Sequence, residues 1–155
     1  MTIYLIRHGH AGSRKAWQGP DEQRPLSDKG VGQASAIAER LGGTEIDQVV
    51  SSPALRCVQT VEPLARRLDR KVRIDEALAE GTPVASSLEL LHRLIATNGD
   101  AALCSHGDVI PEMMSALQED GIDGDGTVNS AKGGTFVLET GDGRVTSSCY
   151  VPPPT

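Results

Sequence analysis

Ile3-Tyr4-Leu5-Ile6-Arg7-His8-Gly9 is the stretch on which the fold turns. Four apolar residues, rich in strand formers, stop abruptly at a cation, an imidazole and a glycine. Such a pattern predicts a buried β-strand, Ile3 to Ile6, emptying into a loop. The same grammar recurs further along the chain. Ile46, Val49 and Val50 lead into Ser51-Ser52-Pro53, and Ala101 to Cys104 lead into Ser105-His106-Gly107.

Helical patterns separate these strands. Ser27 or Asp28 can cap a helix whose apolar face takes in Val31, Ala34, Ile37, Ala38 and Leu41, with Gly42-Gly43 as its stop. A second helix is expected from about Ala54 to Leu68, its apolar face formed by Leu55, Val58, Val61, Leu64, Ala65 and Leu68. Pro63 inside it predicts a kink, or a break near Glu62. Val72 and Ile74 mark a short strand, Ser87 to Ala96 a helix, and Val109 to Leu117 another, with Pro111 tolerable in its first turn. Thr135 to Glu139 and Arg144 to Tyr150 read as two strands joined at Gly141-Asp142-Gly143. Strands alternating with helices imply a three-layer α/β/α sandwich around a mostly parallel sheet. Ligand sites in such sheets form beyond the carboxyl ends of the strands, where Arg7-His8-Gly9, Ser51-Ser52-Pro53 and Ser105-His106-Gly107 fall.

The chain has 155 residues, 38% hydrophobic and 23% charged, which suits one globular domain over residues 1–150, followed by a Pro-rich tail over 151–155. No apolar run approaches a membrane span, and the start of the sequence has no signal-peptide pattern. Cys57, Cys104 and Cys149 are odd in number and widely spaced, so reduced thiols and a cytoplasmic location are expected. A net charge of −6 argues against nucleic acid as a partner. Arg7, Arg14, Lys15 and Arg24 nevertheless cluster in one short stretch, consistent with a local anion site.

Two imidazoles and an arginine at neighbouring strand ends suit phosphoryl transfer. A neutral imidazole attacks phosphorus while guanidinium groups clamp the oxygens. Arg56, opening a helix after Ser51-Ser52-Pro53, can lean back over the strand ends beside Arg7. Glu76 and Glu80 are both candidates for the acid that protonates a leaving oxygen, and spacing does not choose between them. Other chemistries fit less well. His8-Gly9-His10 resembles a metal-binding HxH, but the chain is short for a barrel and has only four histidines. The residues six beyond Cys57 and Cys104 are Pro63 and Ile110, where a cysteine phosphatase needs arginine. No GxxxxGK[ST] phosphate loop occurs.

With those residues in view, the chain resembles the histidine phosphatase superfamily, branch 1, the phosphoglycerate mutase-like group. The resemblance rests on Leu5-Ile6-Arg7-His8-Gly9, on Arg24-Pro25-Leu26-Ser27 with Gly30 and Gln33, and on Ser51-Ser52-Pro53 with Leu55, Arg56, Gln59 and Thr60. Leu78-Ala79-Glu80 and Ser105-His106-Gly107 complete it, in family order. It implies a phosphoglycerate mutase-like fold and a metal-independent phosphatase without cofactors. His8 would be the nucleophile, with Arg7, Arg56 and His106 around the phosphate and Glu80, rather than Glu76, as proton donor. Ser13, Arg14, Lys15, Gly107 and Lys132 would extend the substrate site.

The length is similar to that of the SixA-type phosphohistidine phosphatases. Ala11-Gly12-Ser13, Val109-Ile110-Pro111 and Lys132-Gly133 further resemble the phosphatase domain fused to Nudix hydrolases, although no Nudix box is present. The implied substrates are a phosphorylated small molecule, with nucleotides among the candidates, or a phosphohistidine protein. A phosphate-binding module without catalysis is the competing class. Trp17 can stack on a base or anchor its loop. His10 can tune the substrate, and Asp108 can either orient His106 or cap the following helix.

Overall fold

Six strands form one sheet in a computed structural model that describes residues 1–154. They are β1 (Thr2–Arg7), β2 (Ile46–Ser51), β3 (Val72–Ile74), β4 (Asp100–Ser105), β5 (Thr135–Gly141) and β6 (Arg144–Val151). The order is β3-β2-β4-β1-β5-β6. The first four neighbours run parallel, whereas β5 pairs antiparallel with both β1 and β6. The sheet is thus mixed, with its parallel half on the side that carries the histidines.

Alternation along the strands creates the layers. Ile3 and Leu5 of β1 and Ala101 and Leu103 of β4 face one cluster, with α3 (Val84–Thr97) and α4 (Val109–Glu119). Ile6, Ala102 and Cys104 face the other, with α1 (Asp28–Leu41) and α2 (Leu55–Arg67). Period-two side-chain direction therefore sends successive residues into opposite cores, and helices cover both faces. No helix is long and apolar enough to cross a membrane among the described residues.

Three sequence expectations need correction. The break offered near Glu62 is absent: α2 continues through Pro63, because Val61, Leu64 and Ala65 are buried on either side of it and their packing holds the segment helical. Val31 is 53% exposed, and Leu55 is 37% exposed. Both helices are rotated from the purely apolar reading: α1 turns Gly30 and Gln33 inward, and α2 turns in Arg56 and Thr60. Polar residues needed at the strand ends thus displace apolar ones from the buried face. β6 extends to Val151, so the expected boundary at residue 150 falls inside a strand. Pro152 to Pro154 have no regular structure, yet the Pro152 carbonyl accepts a bond from Arg40 Nη1 at 3.2 Å. Thr155, the end of the expected tail, lies outside the described residues.

Candidate active site

Register brings the strand ends level. Arg7 pairs with Ser105, and Ser51 with Cys104. Two more bonds continue the ladder past the strands: His8 N–H to the Ser105 carbonyl at 3.1 Å, and Ser52 N–H to that of Cys104 at 3.0 Å. His8, His106 and Ser52 are thereby set side by side.

His8 is 6% exposed. Its Nδ1 lies 2.8 Å from the Gly9 carbonyl, an acceptor only, so Nδ1 carries the proton and the lone pair sits on Nε2. Burial pushes the imidazole down from 6.5 to about 3; the Gly9 bond opposes this, and His106, Arg56 and Arg7 reinforce it. The ring is therefore neutral at ordinary pH, the form in which Nε2 can attack an electrophile. Its loop is pinned from three sides. Gly9 N–H donates to Thr60 Oγ1 at 2.9 Å, His10 N–H to Gln33 Oε1 at 2.8 Å, and Ser27 N–H to the His10 carbonyl at 3.0 Å. A Cβ on Gly30 would stand 2.0 Å from that carbonyl, so only glycine lets α1 approach this closely.

The His106 ring meets that of His8 edge to face, with centroids 5.4 Å apart. Ser52 Oγ sits 2.8 Å from His106 Nε2 and accepts from Ala54 N–H at 3.2 Å. The hydroxyl proton is thus free to go to Nε2, which leaves Nδ1–H pointing elsewhere. Arg7 donates through Nη1 to the Ser130 carbonyl. Its guanidinium also lies flat on Gly107, where a Cβ would come 2.6 Å from Nη2. Arg56, 1% exposed, donates from Nη1 to the Asp21 carbonyl at 2.8 Å. Its Nη2 reaches Asp21 Oδ2 at 3.1 Å and Glu80 Oε2 at 3.3 Å. Arg7 Nε, Arg56 Nε and His106 Nδ1 are buried without a hydrogen-bond partner among the described residues. Buried donors in that condition are costly unless they have a task.

Glu80 also accepts from Arg14 Nη2 at 2.9 Å. Asp108 neither holds His106 nor caps α4 with its side chain. Its carboxylate instead accepts from Gly81 N–H at 2.8 Å and ties down the turn that carries Glu80. His10 is half-buried, its Nδ1 2.6 Å from Ser27 Oγ.

A cavity of about 790 Å³ opens over these groups, with Arg7, His8, Arg14, Glu80, His106 and Lys132 in its walls. Ser13 and Gly107 also border it. Arg56 lines a smaller adjoining space of about 220 Å³ with Ser52 and His106. Lys15 is exposed and borders neither, so its long side chain belongs to the surface. Burial lowers the Lys132 ammonium, and the crowding of Arg7, Arg24, Arg14 and Arg56 lowers it further, a sign of dense positive charge.

Asp21 is the residue the sequence gives no reason to single out, lying in a polar loop without a motif. It bridges Arg14, Arg24 and Arg56 at 3.3, 3.1 and 3.1 Å. Partial burial works to raise its carboxyl, and those guanidinium groups outweigh this and lower it. Arg24, Gln33, Ser52 and Thr60 were visible as parts of motifs, but their work as fasteners of the His8 loop and of His106 is legible only in three dimensions.

A neutral imidazole, a second imidazole, the buried Arg56 and the half-buried Arg7 together make surroundings suited to an anion. Residues 3–82 match the family model of the histidine phosphatase superfamily (branch 1), and the chain belongs to that superfamily. It is 32% identical, over 99% of its length, to an 8-oxo-(d)GTP phosphatase of Mycolicibacterium smegmatis, and spans 48% of that relative. Among solved structures it superposes on the protein histidine phosphatase SixA complexed with tungstate with a TM-score of 0.79 at 21% identity, covering 99% of this chain and 96% of that one. A putative phosphohistidine phosphatase SixA from Nakamurella multipartitia gives 0.74 at 26% identity, covering 99% and 95%.

Proposed function

We propose that the chain hydrolyses a phosphomonoester or a terminal phosphate in two steps through a phosphohistidine on His8. His8 Nε2 bonds to phosphorus as the bond from phosphorus to the leaving oxygen breaks, and Glu80 gives its proton to that oxygen. Water then loses a proton to Glu80, its oxygen bonds to phosphorus, the P–N bond breaks, and inorganic phosphate departs. Arg7, Arg56 and His106 hold the phosphoryl oxygens throughout. The observation that carries this reading is the neutral His8, its ring 5.4 Å from that of His106, in a site where Arg7 Nε, Arg56 Nε and His106 Nδ1 are buried without partners. Donors fixed before the reaction stabilise developing charge without reorganisation. In the resting site Glu80 is engaged by Arg14 and Arg56. A phosphoryl dianion that draws those guanidinium groups to itself frees the carboxylate to face the leaving oxygen.

Turnover of p-nitrophenyl phosphate tests the reading. Wild type is expected to release phosphate, His8→Ala to release none, and Glu80→Gln to be slowed by about two to four orders of magnitude. Binding without turnover in wild type would instead mark a non-catalytic phosphate-binding module. The name of the Nakamurella relative favours a second reading, removal of phosphate from a phosphohistidine protein. Release of phosphate from a phosphorylated histidine domain would support it.

A further inference from the structure

Beside the phosphate cavity lies another, of about 220 Å³, that shares Gly12, Ser13 and Arg24 with it and is closed by Ala16, Trp17 and Leu26. The two recesses are therefore immediate neighbours. Trp17, the sole tryptophan, belongs to neither hydrophobic cluster and is 37% exposed. Its position is nonetheless fixed. The indole N–H donates to the Pro20 carbonyl at 2.9 Å, and Gly19 lies so near that a Cβ there would sit 3.2 Å from the ring. With its only polar atom engaged, the ring offers its face. An immobilised aromatic face in a partly apolar recess is a stacking platform for a flat π-system.

The phosphate cavity holds more positive charge than one phosphoryl group requires. Lys132 lines it, and no carboxylate lies in ion-pair range of Lys132 among the described residues. A cation left over beside Arg7 suits a second phosphate.

Resting on the phosphatase reading above, we infer that the substrate is a nucleoside di- or triphosphate whose base stacks on Trp17. The terminal phosphoryl group lies against His8, the next phosphate by Lys132, and the base in the Trp17 recess. In the first step the anhydride P–O bond breaks, phosphorus bonds to His8 Nε2, and the oxygen of the inner phosphate leaves with the proton from Glu80.

The single tryptophan makes the test direct. In His8→Ala, which holds ligand without turnover, GDP should quench the Trp17 fluorescence in a saturable way and pyrophosphate should not. In the catalytically intact background, the ratio of kcat/KM for GDP to that for pyrophosphate should fall about tenfold in Trp17→Ala. Trp17→Phe, which keeps a π-face, should recover most of that loss. If p-nitrophenyl phosphate is turned over but GDP neither quenches nor is hydrolysed, or the ratio is unmoved in Trp17→Ala, the base subsite is wrong and the phosphatase reading stands. If none of the three phosphates is hydrolysed, the phosphatase reading itself fails.

Discussion

His8 is held neutral by its burial, and the consequence is measurable in stability as well as in rate. An imidazole lowered to about 3 in the folded chain and near 6.5 when unfolded binds more protons unfolded. Stability is therefore complete above the unfolded value and is lost as pH falls from about 6.5 toward 3. At about pH 5 the loss from this group alone amounts to roughly 2 kcal/mol. Urea denaturation of wild type and His8→Gln at neutral pH and at about pH 5 should show that difference in the wild type only. Equal losses in both would mean that the ring is not buried neutral. Gly107 makes a second residue-scale case. A methyl at that position collides with the Arg7 guanidinium, at 2.6 Å from Nη2. Gly107→Ala should therefore fold normally and lose about a hundredfold in kcat; an unchanged kcat would remove Arg7 from the site. In the sequence, His8, Arg7 and His106 stand out at strand ends and Arg56 at the helix start that follows one, while only the family resemblance chooses Glu80 over Glu76. The sequence is silent on Asp21, whose partners Arg14, Arg24 and Arg56 converge only once the loop is folded over α2.

At the level of elements, local pattern read the strands well and the helix faces imperfectly. Strand ends are legible because apolar runs stop where the sheet stops, and β1, β2 and β4 all stop at site residues. Helix rotation is not legible when a helix has a polar duty on its buried side. α1 turns in Gly30 and Gln33 to clasp the His10 backbone, and α2 turns in Arg56 and Thr60, so Val31 and Leu55 face outward instead. Gly30→Ala should then act on two readouts at once. A Cβ 2.0 Å from the His10 carbonyl forces α1 away, so both thermal stability and kcat should fall, whereas Gly32→Ala, with open space around its Cβ, should leave them near wild type. Pro63 is the counter-example in α2. It lacks the N–H that would bond to the Gln59 carbonyl, yet packing keeps the helix intact. Pro63→Ala restores that donor and should stabilise the protein by about 1–3 kcal/mol, read from chemical denaturation. Destabilisation would show that the ring itself fills a needed space.

For the molecule as a whole, topology explains why one acidic chain can hold a concentrated cationic site. The parallel half of the sheet gathers the ends of β1, β2 and β4 at one edge, and the connections after β1 and β3 and before β5 bring Arg14, Glu80 and Lys132 over them. The net charge of −6 is carried elsewhere on the surface. A mechanism built on His8, two arginines and Glu80 routes no step through a metal, so EDTA should leave turnover intact; strong loss would require a metal in the reaction. Attack by His8 leaves a covalent adduct that intact-protein mass spectrometry after rapid mixing with p-nitrophenyl phosphate detects. One added phosphoryl group is expected that survives alkali, is lost in acid and is missing from His8→Ala. An adduct that withstands acid, or one that persists in His8→Ala, would contradict it.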